Sequence, residues 1–230
     1  RNYFKKSRLH FIGSWREHLE DLPKRVAEIR KNSINVASSS SVRLVLHVDM
    51  DCFFVQVAML EHNHIHKDTP VVVAHGGNDV SSNKDTRGCE ISSANYAARA
   101  FGIKAGMGVK QARKVCAELV VLPYVFVILV KQILTHSKPT QTNRYSDWNT
   151  ISKISMTFYE TIVRLYPHAR VQPLSIDEFF VSIPYDRKCS VETIMSNIRN
   201  QVRVATGGLE CSVGAALDSP IYARMATKDA

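Results

Sequence analysis

The pattern of apolar positions shows one short run that ends in two carboxylates. Residues 44–48 are mostly aliphatic and rich in Leu and Val, which is typical of a buried strand. Asp49 and Asp51 follow two residues apart, and two phenylalanines come directly after them. A carboxylate on a buried strand is costly unless a cation offsets its charge. Because hard divalent cations take oxygen ligands, this strand end is a candidate metal site.

Strands and helices alternate along the rest of the chain. Short apolar runs predict strands at 70–75, 89–93, 119–122, 171–183 (a strand pair) and 211–217. Helical spacing predicts helices at 15–31, 53–60, 93–101, 109–118, 148–165, 191–206 and 220–228. From residue 44 onward this order suits an α+β fold of the ferredoxin-like type, with an antiparallel or mixed sheet, helices on one face and a small inserted domain.

The N-terminal region has a different composition. Residues 1–31 are basic and aromatic and form an arm, and the serine-rich residues 32–42 form a linker to the core. The stretch 125–146 combines an apolar run with a polar segment and contains no acidic residue, so it is interpreted as an insertion.

Charge points to a polyanionic partner. The net charge is +9 and the isoelectric point is about 9.4, which favours nucleic acid, although a solvated basic surface is an equally good interpretation of charge alone. The five cysteines are widely spaced without a CxxC motif, which indicates neither a disulfide framework nor a zinc site and fits a reducing compartment. No run of about 20 apolar residues is present, so membrane-protein functions are not indicated.

A second acidic pair, Asp177 and Glu178, also lies at a strand bend between apolar runs. If the two strands are neighbours, Asp49, Asp177 and Glu178 meet at one sheet edge. Three such carboxylates suit two Mg²⁺ ions roughly 3.5–4 Å apart, the arrangement used for nucleotidyl transfer. The alternative is that Asp and Glu at turns are ordinary surface residues.

Tyr96 and Arg99 share one face of a predicted helix and are candidates for binding a triphosphate. The alternative for Arg99 is an ordinary surface arginine.

Five segments of the chain resemble the successive motifs of Y-family translesion DNA polymerases, and they occur in the same order. These segments are 48–55, 93–107, 175–178, 212–214 and 223–227. Residues 7–15 resemble the segment before the palm in one branch, the eukaryotic deoxycytidyl transferases of mutagenic DNA repair.

The resemblance implies a role for each matched residue. Asp49, Asp177 and Glu178 are expected to be catalytic and to bind two Mg²⁺ ions with help from the Met50 carbonyl, while Asp51 supports them. The expected nucleotide-binding residues are Arg8, Cys52, Phe53, Phe54, Tyr96 and Arg99. Among these, Phe54 is expected to exclude a ribose 2′-hydroxyl and Arg8 to pair with dCTP, while Leu9 displaces the template guanine.

The resemblance also implies organisation and function. Residues 43–55 and 119–230 are expected to form the palm, and residues 56–118 the fingers. The expected activity is that of a transferase in translesion DNA synthesis, which inserts dCMP opposite template G or abasic sites. The expected location is the nucleus. The expected partners are damaged primer–template DNA, dCTP and other translesion polymerase subunits, which bind regions beyond this sequence. We expect a thumb, a DNA-gripping domain and a lysine segment to follow residue 230, and a BRCT module to precede the arm.

Besides the segments expected before the arm and after residue 230, two departures from the family pattern keep other functions open. Residues 125–146 interrupt the usual passage into the next helix, and Phe179 replaces a common alanine beside the acidic pair, where its ring is expected to crowd the primer end. One alternative is therefore a catalytically impaired product that binds DNA or partner proteins. Another is a metal-dependent nuclease, because carboxylate pairs also serve phosphodiester hydrolysis.

Overall fold

The computed structural model describes residues 22–31, 42–60, 62, 64–75, 89–123 and 148–228. The chain separates into two compact units, with the divisions after Met50 and after Ile151. The predicted linker, the insertion at 125–146 and most of the N-terminal arm, with Arg8 and Leu9, lie outside the described residues.

Fourteen elements are present among the described residues. In chain order they are α1 (Leu22–Lys31), β1 (Arg43–Met50), α2 (Phe53–Leu60), β2 (Val71–His75), β3 (Glu90–Ala94), α3 (Tyr96–Ala100), α4 (Val109–Val115), β4 (Val120–Pro123), α5 (Trp148–Leu165), β5 (Arg170–Pro173), β6 (Glu178–Pro184), α6 (Val191–Ala205), β7 (Cys211–Leu217) and α7 (Pro220–Lys228).

The first unit is built on a four-stranded sheet with the order β5-β6-β1-β7, in which every neighbouring pair is antiparallel. The chain passes from β1 through α5 to the β5–β6 hairpin, then through α6 to β7, which is the βαββαβ order of a ferredoxin-like fold. The predicted α+β class is confirmed. The whole second unit is inserted between β1 and α5, so β1 meets its partners only after a long detour of the chain.

The two faces of this sheet have different coverings. Phe179 pairs with Val48 and packs against Phe158 and Tyr159 of α5, with ring centroids 4.5 and 4.7 Å apart. On the opposite face, His47 is bound to Thr227 of α7. The sequence predicts helices on one face of the sheet. The structure shows a helix, α7, on the other face as well.

Helix α1 is attached to α5 and to the chain that follows it. Arg25 forms a 2.7 Å ion pair with Glu160, and Arg30 donates to the carbonyl oxygens of Pro167 and Ala169 at 3.0 and 2.6 Å. Both carbonyls lie in the turn between α5 and β5, so the Arg30 guanidinium satisfies backbone acceptors that follow the end of the helix. Pro23 lies in the first turn of α1, where proline is tolerated.

The second unit has a three-stranded mixed sheet with the order β3-β2-β4. Strand β2 is antiparallel to β3 and parallel to β4, and Val55 and Ala58 of α2 pack against Val71 and Val73 of β2. This unit therefore begins at Asp51 and includes β4, whereas the predicted boundaries placed residues up to 55 and from 119 in the other domain. The parallel pairing of β4 with β2 is the reason, because residue-by-residue periodicity does not reveal which sheet a short strand joins.

None of the helices in the described ranges is both long enough and apolar enough to cross a membrane.

Candidate functional site

The pairing of β1 with β6 places two of the predicted carboxylates opposite each other. Asp49 is the direct partner of Glu178 in this antiparallel register, and both side chains are partly exposed. Directly paired residues project to the same side of a sheet, which brings these two acidic residues onto one face at the end of β1. Both predicted pairs therefore lie at the same end of the same strand pair.

Asp177 is held by the turn that precedes β6. The Ser175 hydroxyl donates to Asp177 Oδ1, and the amide of Asp177 donates to Ser175 Oγ at 3.3 Å. The Met50 amide donates to the carbonyl oxygen of Asp177 at 2.9 Å, which fixes the turn to the end of β1. Burial raises the pKa of the Asp177 carboxyl, and the neighbouring charge of Glu178 raises it further against the opposing effect of Ser175.

Side chains of helix α5 hold the backbone of the turn that carries Asp177. The Tyr159 hydroxyl donates to the Ser175 carbonyl at 2.6 Å, and the buried Ser155 hydroxyl donates to the carbonyl of Ile176. Burial raises the pKa of Tyr159 far above its usual range, so this phenol stays protonated and remains a donor. Two hydroxyls on an otherwise apolar helix face therefore fix the backbone that carries Asp177.

Glu178 has two basic neighbours in the first unit. Its Oε1 atom lies 2.7 Å from His47 Nε2 and 2.8 Å from a guanidinium nitrogen of Arg224. His47 is only 2% exposed, whereas the Arg224 side chain is 49% exposed. Burial is the main reason that the pKa of His47 is lowered, although Glu178 acts in the opposite direction.

The donor set fits a divalent cation in its chemistry, since the three residues offer carboxylate oxygens at one sheet end. The Asp177 carboxyl is partly buried and lies next to Glu178 in the sequence, so a bound cation would stabilise its ionised form. In the ranges that the structure describes, however, no three His, Cys, Asp or Glu side chains are already arranged as a metal-binding group.

The Phe179 ring lies away from this acidic face. It is fully buried and packs between Phe158 and Tyr159 on the α5 side of the sheet. The expectation that Phe179 crowds a primer end was wrong, because residues adjacent in a strand project to opposite faces and Glu178 occupies the other one. The substitution of a large ring for alanine at this position is therefore a feature of the core.

In the second unit the predicted triphosphate-binding pair forms one small cluster. The Tyr96 hydroxyl donates to Asp51 Oδ1 at 3.3 Å, and the Arg99 guanidinium lies 5.2 Å from the centroid of the Tyr96 ring. Arg99 Nε donates to the Ala94 carbonyl at 2.9 Å, and Arg99 is exposed. Burial and the Asp51 charge raise the pKa of Tyr96. Asp51 thus contacts Tyr96 of the predicted triphosphate-binding pair within this unit, and its predicted role in support of the metal-binding carboxylates stays a prediction.

Asn95 determines where α3 begins. Its Oδ1 accepts from the amides of Ala98 and Val71 at 2.9 and 3.0 Å, and its Nδ2 donates to the Thr69 carbonyl at 2.8 Å. One buried amide therefore caps the helix and attaches it to the start of β2. The position of Tyr96 and Arg99 on this short helix depends on that attachment.

Three predicted nucleotide-binding residues lie where α2 begins: Cys52 precedes the helix, and Phe53 and Phe54 are its first two residues. Cys52 has a φ of +46°, and its carbonyl accepts from the amides of Val55 and Gln56. Phe53 is 2% exposed, so only its backbone is available for the predicted contact. Phe54 is partly exposed and tilted against Phe53, with ring centroids 5.5 Å apart, which leaves Phe54 as the ring that a sugar can contact.

Comparison with known sequences identifies the family. The profile of the impB/mucB/samB family matches residues 48–228, which include both acidic pairs and the Tyr96–Arg99 helix. The chain belongs to the impB/mucB/samB family. This membership confirms the resemblance to Y-family translesion polymerases that the motifs predict.

Curated relatives of this impB/mucB/samB-family chain include the DNA repair protein REV1 of Arabidopsis thaliana, which is 35% identical over 99% of the chain. The DNA repair protein rev1 of Schizosaccharomyces pombe is 30% identical over the whole chain. The chain spans only 18% and 21% of the length of these two proteins.

A solved structure gives the fold comparison. The crystal structure of DinB from Sulfolobus solfataricus is similar with a TM-score of 0.55 and 21% identity, over 81% of the chain and 46% of that structure. At this level of identity the likeness supports the shared fold alone. It agrees with the ferredoxin-like sheet described above.

Sequence reasoning missed three residues that the structure places at the site. His47 reads as one more member of an apolar strand, yet it binds Glu178. Arg224 and Thr227 lie in a segment that contributed to the resemblance but carried no predicted role. The available signal was a polar residue within a buried strand, two positions before Asp49. The roles of Arg8 and Leu9 stay predictions, since both lie outside the described residues.

Proposed function

We propose that the chain is the palm and fingers part of a translesion DNA polymerase that transfers dCMP to a primer end opposite template G or an abasic site. The observation that carries this proposal is the register that sets Asp49 opposite Glu178, with Asp177 in the adjoining turn. Family membership supports the polymerase class, and the alignment of the two repair-protein relatives over the N-terminal arm supports the deoxycytidyl transferase branch.

At the acidic site, Asp49, Asp177 and Glu178 would hold two Mg²⁺ ions, with the Met50 carbonyl as a further ligand. When bound, such ions activate the attacking hydroxyl and offset charge on the leaving oxygens. The chain itself positions the ligands: β1–β6 pairing places Asp49 and Glu178, and the Met50 and Tyr159 contacts fix the turn of Asp177. This preorganisation is the part of the reaction that the fold supplies.

The second unit would bind the incoming nucleotide. Arg99 and Tyr96 offer a guanidinium and a phenol to the triphosphate, while the partly exposed Phe54 ring excludes a 2′-hydroxyl. In the arm, Arg8 would present paired donors to the acceptor edge of cytosine and Leu9 would take the place of the template base. Protein-directed selection of dCTP follows from that pair, and a nuclear location and translesion polymerase partners follow from the branch.

The test is a primer-extension assay with each dNTP opposite each template base and opposite an abasic site. It is run on the 230-residue chain and on the chain joined to the segment that follows the matched region in the Arabidopsis relative, because phosphate contacts dominate DNA affinity. We expect Mg²⁺-dependent insertion of dCMP opposite template G and opposite the abasic site. Arg8→Ala should remove the preference for dCTP while Mg²⁺ dependence remains, and Lys5→Ala serves as a matched control for charge in the arm.

Equal use of the four nucleotides by the unaltered protein would disprove dCTP selection but leave polymerase activity intact. One observation favours a second candidate, a DNA- or partner-binding product without catalysis: Glu178 is already paired with Arg224 and His47. That candidate predicts DNA binding in a fluorescence anisotropy assay with no nucleotide incorporation by either protein. Degradation of DNA in the absence of dNTPs would instead indicate a nuclease.

A further inference from the structure

We propose that His47 is a positioning residue that fixes the carboxylate of Glu178, and that Thr227 in turn fixes the His47 ring. The inference rests on the proposed function, because it assigns His47 a task at the acidic site described there. Metal-binding carboxylates need outer partners that hold their orientation, and the loss of such a partner typically costs 10–100-fold in metal affinity.

Hydrogen bonding at both ring nitrogens carries the argument. His47 Nε2 lies 2.7 Å from Glu178 Oε1, and Nδ1 lies 2.9 Å from Thr227 Oγ1. An ionised carboxylate only accepts hydrogen bonds, so the Nε2 atom carries the proton of that contact. The Thr227 hydroxyl both donates and accepts, so it satisfies Nδ1 in either protonation state of that atom. The ring plane is thereby fixed at two points.

Burial makes His47 the rigid partner of Glu178. The His47 side chain is 2% exposed and lies beside the Phe180 ring, with ring centroids 5.0 Å apart. Arg224 approaches the same carboxylate oxygen, but its side chain is half exposed and has many rotamers. Arg224 therefore contributes positive charge near Glu178, while His47 fixes the orientation of the Glu178 carboxylate.

The absence of a side chain at Gly214 allows Thr227 to lie close to β1. A Cβ atom on Gly214 of β7 would lie 2.2 Å from the Ala223 carbonyl oxygen and 2.4 Å from both the amide nitrogen and Oγ1 of Thr227. The missing side chain thus permits α7 to lie directly on the sheet. Gly214 pairs with His47 in the β1–β7 register, so the close approach occurs at the strand position where Thr227 meets the imidazole.

The test compares two amide variants of His47. Glutamine extends to the position of Nε2 and can still donate to Glu178, whereas asparagine ends near the position of Nδ1 and can reach only Thr227. The measured quantity is the affinity of the 230-residue chain for Mn²⁺. Electron paramagnetic resonance measures this affinity in the absence of DNA and nucleotide. Thermal unfolding of both variants serves as the control for folding.

We expect His47→Asn to weaken Mn²⁺ binding about 10-fold and His47→Gln to remain within about 3-fold of the unaltered chain. Equal affinity of the two variants would overturn the proposal, whether both are weak or both are normal. Thr227→Val keeps the shape of the side chain but removes its hydroxyl, and it should weaken Mn²⁺ binding by a smaller factor. Since Thr227→Val leaves His47 in place, it provides the decisive measurement if the amide variants fail to fold.

Glu178→Gln separates this proposal from the proposed function. If Glu178→Gln loses Mn²⁺ affinity while His47→Asn retains it, the site binds metal but His47 has no positioning role. If the unaltered chain does not bind Mn²⁺, or Glu178→Gln binds it equally well, both the proposed metal site and the role of His47 are disproved.

Discussion

Asp49 and Glu178 are direct partners across the β1–β6 ladder, although 128 positions separate them in the sequence. Like charges placed directly opposite each other destabilise a sheet. The imidazole of His47 and the guanidinium of Arg224 lie on the Glu178 side of this pair and offset part of that cost. Two carboxylates that face each other in this way destabilise the sheet, so we expect them where the residues act in a functional site.

Asp49→Asn and Glu178→Gln should each reduce nucleotide incorporation by at least about 100-fold, more than the loss of an outer-shell partner causes. The reason is that each removes a charged oxygen ligand without changing side-chain size. The measurement is single-turnover primer extension at several Mg²⁺ concentrations. Asp186→Asn is the matched control in the same unit, because Asp186 is exposed and pairs with Lys188. Normal incorporation by both site variants would refute the assignment of these carboxylates.

Asp177→Asn should stabilise the fold by roughly 1 kcal/mol in the absence of divalent metal, as relief of strain at active sites commonly does. The carboxyl has a raised pKa in the folded chain, so the unaltered protein loses stability as the pH rises through that value and regains it as the pH falls. The asparagine variant lacks this ionisation. Urea unfolding across the acidic pH range in EDTA should show a flatter profile for the variant. A variant less stable than the unaltered chain at pH 7 would contradict the argument.

Phe179→Ala should lower the free energy of unfolding by about 3–5 kcal/mol, the usual cost of truncating a buried aromatic ring. The Phe179 ring is fully buried against Phe158 and Tyr159, so the variant leaves a cavity in the core. Phe180→Ala is the matched control on the other face of the same strand, where the ring is partly exposed. Similar losses for both variants in chemical denaturation would mean that Phe179 has no special place in packing.

Asn95→Ala should destabilise the second unit by about 1–3 kcal/mol, because two buried hydrogen bonds and one partly buried hydrogen bond lose their side-chain partner. It should also raise the KM for the incoming nucleotide more than it lowers kcat, since α3 carries Tyr96 and Arg99. Asn95→Asp keeps the acceptor and loses only the donor to Thr69, so its effects should be smaller. Steady-state kinetics together with thermal unfolding measure both consequences. An unchanged KM in Asn95→Ala would show that the cap does not determine nucleotide binding.

Local signals were enough to predict much of the fold. The aliphatic run of β1 and the helical spacing of α6 predicted these elements correctly, and Gly207, directly after the C-cap of α6, has the positive φ (+76°) expected at a helix end. The pairing of β4 with β2 depends on contacts distant in sequence, so composition could not reveal it. The role of His47 depends on which residue lies opposite in a neighbouring strand, and only the register shows that. The direction of the Phe179 ring required the same information.

The insertion of the second unit between β1 and α5 has a consequence for synthesis on the ribosome. The second unit is complete once Ile151 has been made, and its strands pair within a continuous segment. Strand β1 must instead wait for β6 and then β7, which ends at Leu217. Contacts distant in sequence slow folding and prolong the exposure of unpaired apolar strands. The nascent β1 strand, which carries Asp49, is thus a segment that chaperones are expected to protect before its partners emerge.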